Sequence, residues 1–180
     1  SSIPIKGTAS DNSPLERVTL RDSPKETAEL TMIADLVRND LGRVAQPGTV
    51  CAAPRTLLSC GDLIHAEQAI TAKLRAGYDA IDALSAAFPP GSVTGAPKVR
   101  AMEIIADLEE HDRGGYTGCI GGVFDDGTAH WNVAIRTATI HKGNARFNVG
   151  AGIVADSQPE LEWVETLAKG NMLYRGLRAE

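Results

Sequence analysis

The chain has 180 residues, 43% of them hydrophobic and 23% charged, enough to bury one core or to form part of a larger domain. Its formal net charge of -5, with Lys and Arg scattered rather than striped, argues against nucleic-acid binding. Three cysteines, Cys51, Cys60 and Cys119, are odd in number and lack C-x-x-C spacing, which argues against a disulfide framework or a structural zinc site and fits a reducing, cytoplasmic setting.

No apolar run approaches membrane-spanning length. In chain order, Ala9 to Arg21 is rich in Asp, Asn, Ser and Pro and is expected to be a surface loop. A helix should start at Ser23, with Pro24 in its first turn and Glu26 completing an S-x-x-E capping box. Met32, Ile33, Leu36 and Val37 form its apolar face, and it should end near Arg38-Asn39-Asp40. Two strand-like runs follow, one around Leu57-Leu58 and one over Ala66 to Leu74. Tyr78 to Phe88 reads as a short helix stopped by Pro89-Pro90-Gly91, and another helix follows Gly95-Ala96-Pro97. Tyr116 to Phe124, Ala129 to Ile140 and Ala145 to Val154 read as three strands of an antiparallel meander, turning at Asp125-Asp126-Gly127 and Lys142-Gly143-Asn144. The last helix should open at Ser157, again S-x-x-E with Glu160, and run to about Leu177. This order predicts an α+β fold, an antiparallel sheet with packed helices, rather than repeating βαβ units.

Two Glu-x-x-Glu pairs, Glu26/Glu29 and Glu162/Glu165, lie in helical stretches near opposite ends of the chain. Residues three apart share a helix face, so each pair presents two carboxylates side by side, and four converging carboxylates would need a cation. Taken singly, a capping or solvent-paired role fits each Glu as well. Gly91 to Lys98 leads into a helix N-terminus suited to an anion, or is a plain Gly/Pro turn. Gly150-Ala151-Gly152 would let a ligand approach the backbone, or marks a bulge. His65 and Arg136 sit in apolar strands, and an Arg there suits bidentate carboxylate capture. Lys169 follows Glu165 by one turn, an ordinary ion pair or a second cation facing an acidic substrate.

Several motifs occur together and in order: Pro4-Ile5-Lys6-Gly7-Thr8, Asp35 to Arg43, Gly91 to Lys98 with Arg100-Ala101-Met102-Glu103, Tyr116-Thr117-Gly118, Ala134-Ile135-Arg136-Thr137, and Gly150 to Ser157 with Glu162, Glu165, Thr166 and Lys169. Between Ile3 and about Leu173 the chain resembles the chorismate-utilising enzymes, which include anthranilate, aminodeoxychorismate, isochorismate and salicylate synthases. The fold this implies is the C-terminal part of the anthranilate synthase component I-like domain. Residues 1-180 would then lack the N-terminal half of the family domain and its upstream Ser-Pro-Glu general acid. Alone they would be an incomplete catalyst with an exposed apolar face.

Lys6, where relatives that form anthranilate or isochorismate typically carry Ala, points to the aminodeoxychorismate synthase component I subgroup. There the resemblance makes Lys6 the nucleophile on chorismate, and an amine attacks only when neutral, a state that burial or neighbouring cations would favour. It also implies His65 as the catalytic histidine near the C4 hydroxyl. Glu29 and Glu165 would stand nearest Mg²⁺, with Glu26 and Glu162 completing the shell. Gly7, Thr8, Ser92, Thr94, Tyr116, Arg136, Gly150, Ala151, Gly152 and Lys169 would bind substrate. The implied partner is a glutamine amidotransferase subunit or domain that supplies ammonia. Anthranilate-, isochorismate- or salicylate-forming chemistry, and a chorismate-binding module without catalysis, are the alternatives.

Overall fold

The computed structural model describes residues 1–10 and 13–178, apart from the side chains of Ser10, Lys25 and Met172. The chain forms two compact units, Ser1–Met102 and Glu103–Glu180.

In the first unit, β1 (Ile5–Ser10) pairs antiparallel with β4 (Leu63–Glu67), which pairs antiparallel with β3 (Thr56–Cys60). The register slips between Lys6 and Thr8, so that Lys6 faces Ala66 while Thr8 faces His65. The slip is a bulge at Gly7, whose φ of +75° lies where glycine is favoured. Short strands β2 (Cys51–Ala52) and β5 (Ile70–Thr71) form a second antiparallel pair.

The expected loop over Ala9 to Arg21 is a strand end and a helix. Asp11 and Asn12 lie outside the described residues, and α1 spans Pro14–Asp22. Ser13 caps it by accepting the Glu16 N–H, and Leu20 is buried. The polar residues that suggested a loop are the helix's cap and its solvent face.

Helix α2 (Pro24–Gly42) begins at Ser23 as expected, with the Ser23 Oγ accepting the Glu26 N–H at 3.2 Å. It continues past Asp40 because its inner face stays apolar: Leu30, Ile33, Ala34, Val37 and Leu41 are all buried. Ala34, Val37 and Leu41 pack with Ile70, and Val50 and Ala72 close the cluster. Each fully buried Leu, Ile or Val contributes about 1.5–3 kcal/mol, so this face anchors the helix that carries Glu26 and Glu29. Helix α3 (Ala80–Ala87) opens on a reciprocal capping box between Asp79 and Asp82. A single 3₁₀ turn at Gly91–Val93 then leads to α4 (Lys98–Leu108), within which the division between the units falls.

The run Ala66 to Leu74 is not one strand: β4 ends at Glu67 and β5 begins at Ile70. The chain changes sheets there, with Gln68 N–H bonding Pro4 O and Ala53 N–H bonding Ala69 O.

In the second unit the expected meander is replaced by two hairpins, β6 (Cys119–Val123) with β7 (Ala129–Val133) and β8 (Ala138–His141) with β9 (Asn144–Phe147). The expected strand Ala129 to Ile140 breaks because Ile135 N–H bonds back to Val133 O and Arg136 adopts a φ of +53°. Both turns are where the sequence put them. Asp126 accepts the Thr128 N–H at Gly127, and Lys142 and Gly143 both take positive φ. Helix α5 (Pro159–Arg178) follows. Ser157 does not make the expected box with Glu160; its hydroxyl donates to Glu162 Oε1 at 2.7 Å and accepts the Val154 N–H.

Candidate functional site

Strand β1, strand β4 and the first turns of α2 bring six of the expected residues together. Lys6 Nζ stands 2.9 Å from Glu29 Oε2 in a half-buried ion pair, the side chains 33% and 15% exposed. An anion thus faces it in a half-buried place, where burial or neighbouring cations were expected. His65 Nδ1 lies 3.0 Å from Thr8 Oγ1 and 3.2 Å from Gly7 O. A carbonyl only accepts, so Nδ1 carries a hydrogen in that contact and Nε2 is the nitrogen left for chemistry. Gly7 is needed for space as well as conformation. A Cβ there would stand 2.6 Å from Leu20 Cδ1 and 2.7 Å from Glu26 Oε2. Glu26 therefore reaches toward the bulge that follows Lys6, from the helix face that carries Glu29.

Ser92 and Thr94 lie farther along α2. Gly91 packs directly on Leu36, seven residues or roughly 10 Å beyond Glu29 along the helix. Thr94 Oγ1 is bonded to Pro90 O, and Ser92 is exposed. A buried ion pair ties this loop down. Lys98 Nζ meets Asp40 Oδ2 at 2.6 Å, with Asp40 2% and Lys98 10% exposed, and Arg43 also bonds Asp40. Sequence reasoning gave this pair no role. Its two halves are far apart in the chain, and only packing joins them.

The second unit gathers another set. Lys169 Nζ donates to Gly150 O at 3.0 Å and pairs with Glu165 Oε1 at 2.5 Å. The Tyr116 hydroxyl oxygen would be 3.2 Å from a Cβ on Gly150, so the bare backbone there admits the phenol. Burial raises the Tyr116 pKa, opposed by the charges of Arg113 and Arg136. Arg136 is thus within electrostatic range of Tyr116. Arg113, unremarked in the sequence, grips Glu109 through both Nε and Nη2, and its guanidinium lies 6.0 Å from the Tyr116 ring centroid. The i,i+4 spacing of Glu109 and Arg113 was the available signal.

A cleft of about 340 Å³ opens between the Gly150–Ser157 segment and α5, lined by Ala151, Ile153, Ser157, Glu162, Trp163 and Thr166 among others. Ala151 and Glu162 were expected in a site; Trp163 and Ile153 were not. Gly152 is exposed. Within either unit, no group of three or more described His, Cys, Asp or Glu residues is close enough to hold a metal ion. Each unit supplies a pair of carboxylates, and in each pair one carboxylate holds a lysine ammonium.

Residues 1–175 match the family described as chorismate binding enzyme. The chain belongs to that family. An anthranilate synthase component 1 from Streptomyces coelicolor is 46% identical over 165 residues, covering 91% of this chain and 32% of that protein. An aminodeoxychorismate synthase component 1 from Klebsiella aerogenes is 42% identical over 182 residues, 98% of this chain and 40% of that protein. The crystal structure of anthranilate synthase component I from Streptococcus pneumoniae superposes with a TM-score of 0.86 at 35% identity, over 96% of this chain and 39% of that one. This chorismate binding enzyme chain therefore spans between about a third and two fifths of the length of these relatives. Its α+β architecture of antiparallel strands and packed helices is that of the family.

Proposed function

We propose that the protein is an aminodeoxychorismate synthase component I: a Mg²⁺-dependent cytoplasmic enzyme that aminates chorismate to 4-amino-4-deoxychorismate, toward 4-aminobenzoate and folate. Ammonia would come from a glutamine amidotransferase subunit or domain. The observation that carries the reading is Lys6, set by the Gly7 bulge beside Glu29 and on the same strand as the Thr8–His65 contact.

In this scheme Lys6, once it has given up its ammonium proton, attacks C2 of chorismate as the neutral amine; the C4 hydroxyl takes up a proton and departs as water, and the nitrogen now bonded to C2 sheds one. His65, with Nδ1 occupied by Thr8 and Gly7, presents Nε2 to that hydroxyl. Ammonia then forms a bond to C4, the Lys6–C2 bond breaks, and the free amine is restored. The sum is chorismate plus ammonia to aminodeoxychorismate plus water. Lys169, Arg136 and Tyr116 provide two cations and a phenol for the enolpyruvyl carboxylate. Gly150 to Gly152 offer backbone, and Ser92 and Thr94 face substrate from their loop.

Glu26 and Glu29 in the first unit and Glu162 and Glu165 in the second are the residues that would hold Mg²⁺, through hard carboxylate oxygens, and Glu29 and Glu165 each hold an ammonium group. When bound, the ion supplies the positive charge that holds and polarises the ring carboxylate of chorismate.

Lys6→Ala in the full-length protein, given free ammonium, should abolish aminodeoxychorismate formation measured by chromatography. Undiminished formation would remove Lys6 as nucleophile. The relatives named anthranilate synthase support a second reading, anthranilate formation. The same chromatogram separates it, because its product is anthranilate.

A further inference from the structure

In the second unit, Tyr116 reaches Gly150 from a turn whose backbone is strained. Thr117, the next residue, has a φ of +61°, a left-handed conformation that a β-branched side chain rarely adopts. Strain of this kind persists only where the surroundings hold the residue from several sides. On one side the Thr117 N–H donates to Ala134 O and the Ala134 N–H donates to Gly118 O, both at 2.9 Å. The other side is held by Arg113. Its carbonyl accepts the Tyr116 N–H at 3.1 Å, and its Nη1 donates to Thr117 Oγ1 at 3.3 Å. The one hydrogen of the Thr117 hydroxyl goes to Tyr116 O at 2.6 Å, so Arg113 meets a lone pair. The remaining guanidinium nitrogens, Nε and Nη2, bond the two carboxylate oxygens of Glu109 at 2.8 and 2.6 Å. We propose that Arg113 is a positioning residue: anchored by Glu109 and bonded to Thr117, its guanidinium sets the turn that delivers the Tyr116 hydroxyl to Gly150. The inference rests on the assignment of Tyr116 to substrate made above.

Other roles for Arg113 fit the geometry less well. Its guanidinium carbon lies 6.0 Å from the Tyr116 ring centroid, at the outer limit of a cation–π contact, so stacking does little to hold the ring. As a staple the pair with Glu109 is weak, because the Glu109 side chain is 41% exposed and exposed ion pairs contribute little. What the pair supplies is direction. A guanidinium gripped through two nitrogens has its plane fixed, and the third nitrogen then points one way, at the hydroxyl of the buried Thr117. If Thr117 shifted, the peptide that follows Tyr116 would turn and carry the phenol with it. There is little room for that, since a Cβ on Gly150 would already stand 3.2 Å from the Tyr116 oxygen. Lysine keeps the charge but is a point donor on a flexible stem, and it cannot reproduce the fork.

Steady-state kinetics of the full-length protein, with chorismate and free ammonium, test the role. Arg113→Lys and Arg113→Gln should both raise KM for chorismate about tenfold and leave kcat within about twofold, the pattern of lost uniform binding. Glu109→Gln, a milder change at a half-exposed carboxylate, should raise KM about threefold. Adding Arg113→Lys to Tyr116→Phe should raise KM no further than Tyr116→Phe does alone, because the arginine acts through the phenol. A merely structural arginine would reduce the amount of active enzyme and leave KM in place. An ordinary KM in Arg113→Lys would show that charge suffices without the fork and would overturn the proposal, as would additive effects in the double variant. Should the Arg113 variants fail to fold, an unchanged KM in Glu109→Gln overturns it. An ordinary KM in Tyr116→Phe would overturn the assignment of Tyr116 to substrate and the proposal with it. Anthranilate as the product would overturn the amination reading alone, and the KM values would still decide the role of Arg113.

Discussion

Asp40 shows how one buried charge can organise a loop. It is 2% exposed and satisfied by Lys98 at 2.6 Å and Arg43 at 3.3 Å, so helix α2 is joined to the start of α4 just behind the Ser92–Thr94 loop. Removing one partner strands the other in low dielectric. Asp40→Ala should cost about 3–5 kcal/mol by urea denaturation, whereas Arg43→Ala, at an exposed position, should cost under about 1 kcal/mol. Equal losses would show that the burial of the pair does not set its strength. Tyr116 gives a pH dependence with a definite sign. Burial raises its pKa in the folded chain above the ordinary value of about 10. The folded state therefore binds the phenolic proton more tightly than the unfolded state does. Its contribution to stability is complete below about pH 10 and is lost as pH rises through the folded value. Tyr116→Phe should flatten that part of a stability–pH curve, and ultraviolet titration should show one phenol ionising late. Lys6, His65, Gly7 and Thr8 were readable because they are neighbours in a motif or meet it across one sheet. Asp40–Lys98 and Trp163 were not, since nothing in their local sequence distinguishes a buried pair or a cleft wall from a surface.

At the scale of elements, capping chemistry was legible and breaks in strands were not. Ser23-Pro24-x-Glu26 marks the start of α2 because a hydroxyl acceptor, a ring that needs no N–H and an acidic first turn each relieve the orphan donors there. Ser23→Ala should cost about 1 kcal/mol in thermal or urea unfolding and should loosen the turn that aims Glu26 at Gly7. Ser13-Pro14-x-Glu16 carries the same signal ahead of α1, but the surrounding polar residues hid it. The strand Ala129 to Ile140 read as continuous because apolar content shows sheet preference and says nothing of a left-handed residue such as Arg136. Glycine in β6 carries information that composition also hides. A Cβ on Gly121 would collide with the His130 carbonyl and the Trp131 ring, so Gly121→Ala should disrupt the β6–β7 hairpin, at about 1–3 kcal/mol. The neighbouring Gly122→Ala has open space and should be nearly silent. Chemical denaturation of the two variants side by side checks this, and equal losses would show that the close approach is not what requires glycine.

For the molecule as a whole, the two units differ in how they treat apolar surface. The first buries a continuous stripe of α2 against Ile70, while in the second α5 leaves Leu161, Trp163, Val164 and Leu167 exposed. At about 25 cal/mol per Å² such surface is costly to leave in water, and a helix apolar on its outer side marks a place where further contact is favoured. Of the protein's two tryptophans, Trp163 lies on this face and is 62% exposed, while Trp131, in β7, is 37% exposed. In the 180-residue chain alone, emission should be that of solvated indole and acrylamide should quench it efficiently. Trp163→Phe should remove the larger share of the quencher-accessible signal. An apolar dye should also bind the chain and brighten, and Leu161→Ser with Leu167→Ser should weaken that response without unfolding the helix by circular dichroism. Short-wavelength, quencher-resistant emission from Trp163 would mean that this face is already covered in the isolated chain. In that case the exposure of α5 could not be the source of any tendency to associate.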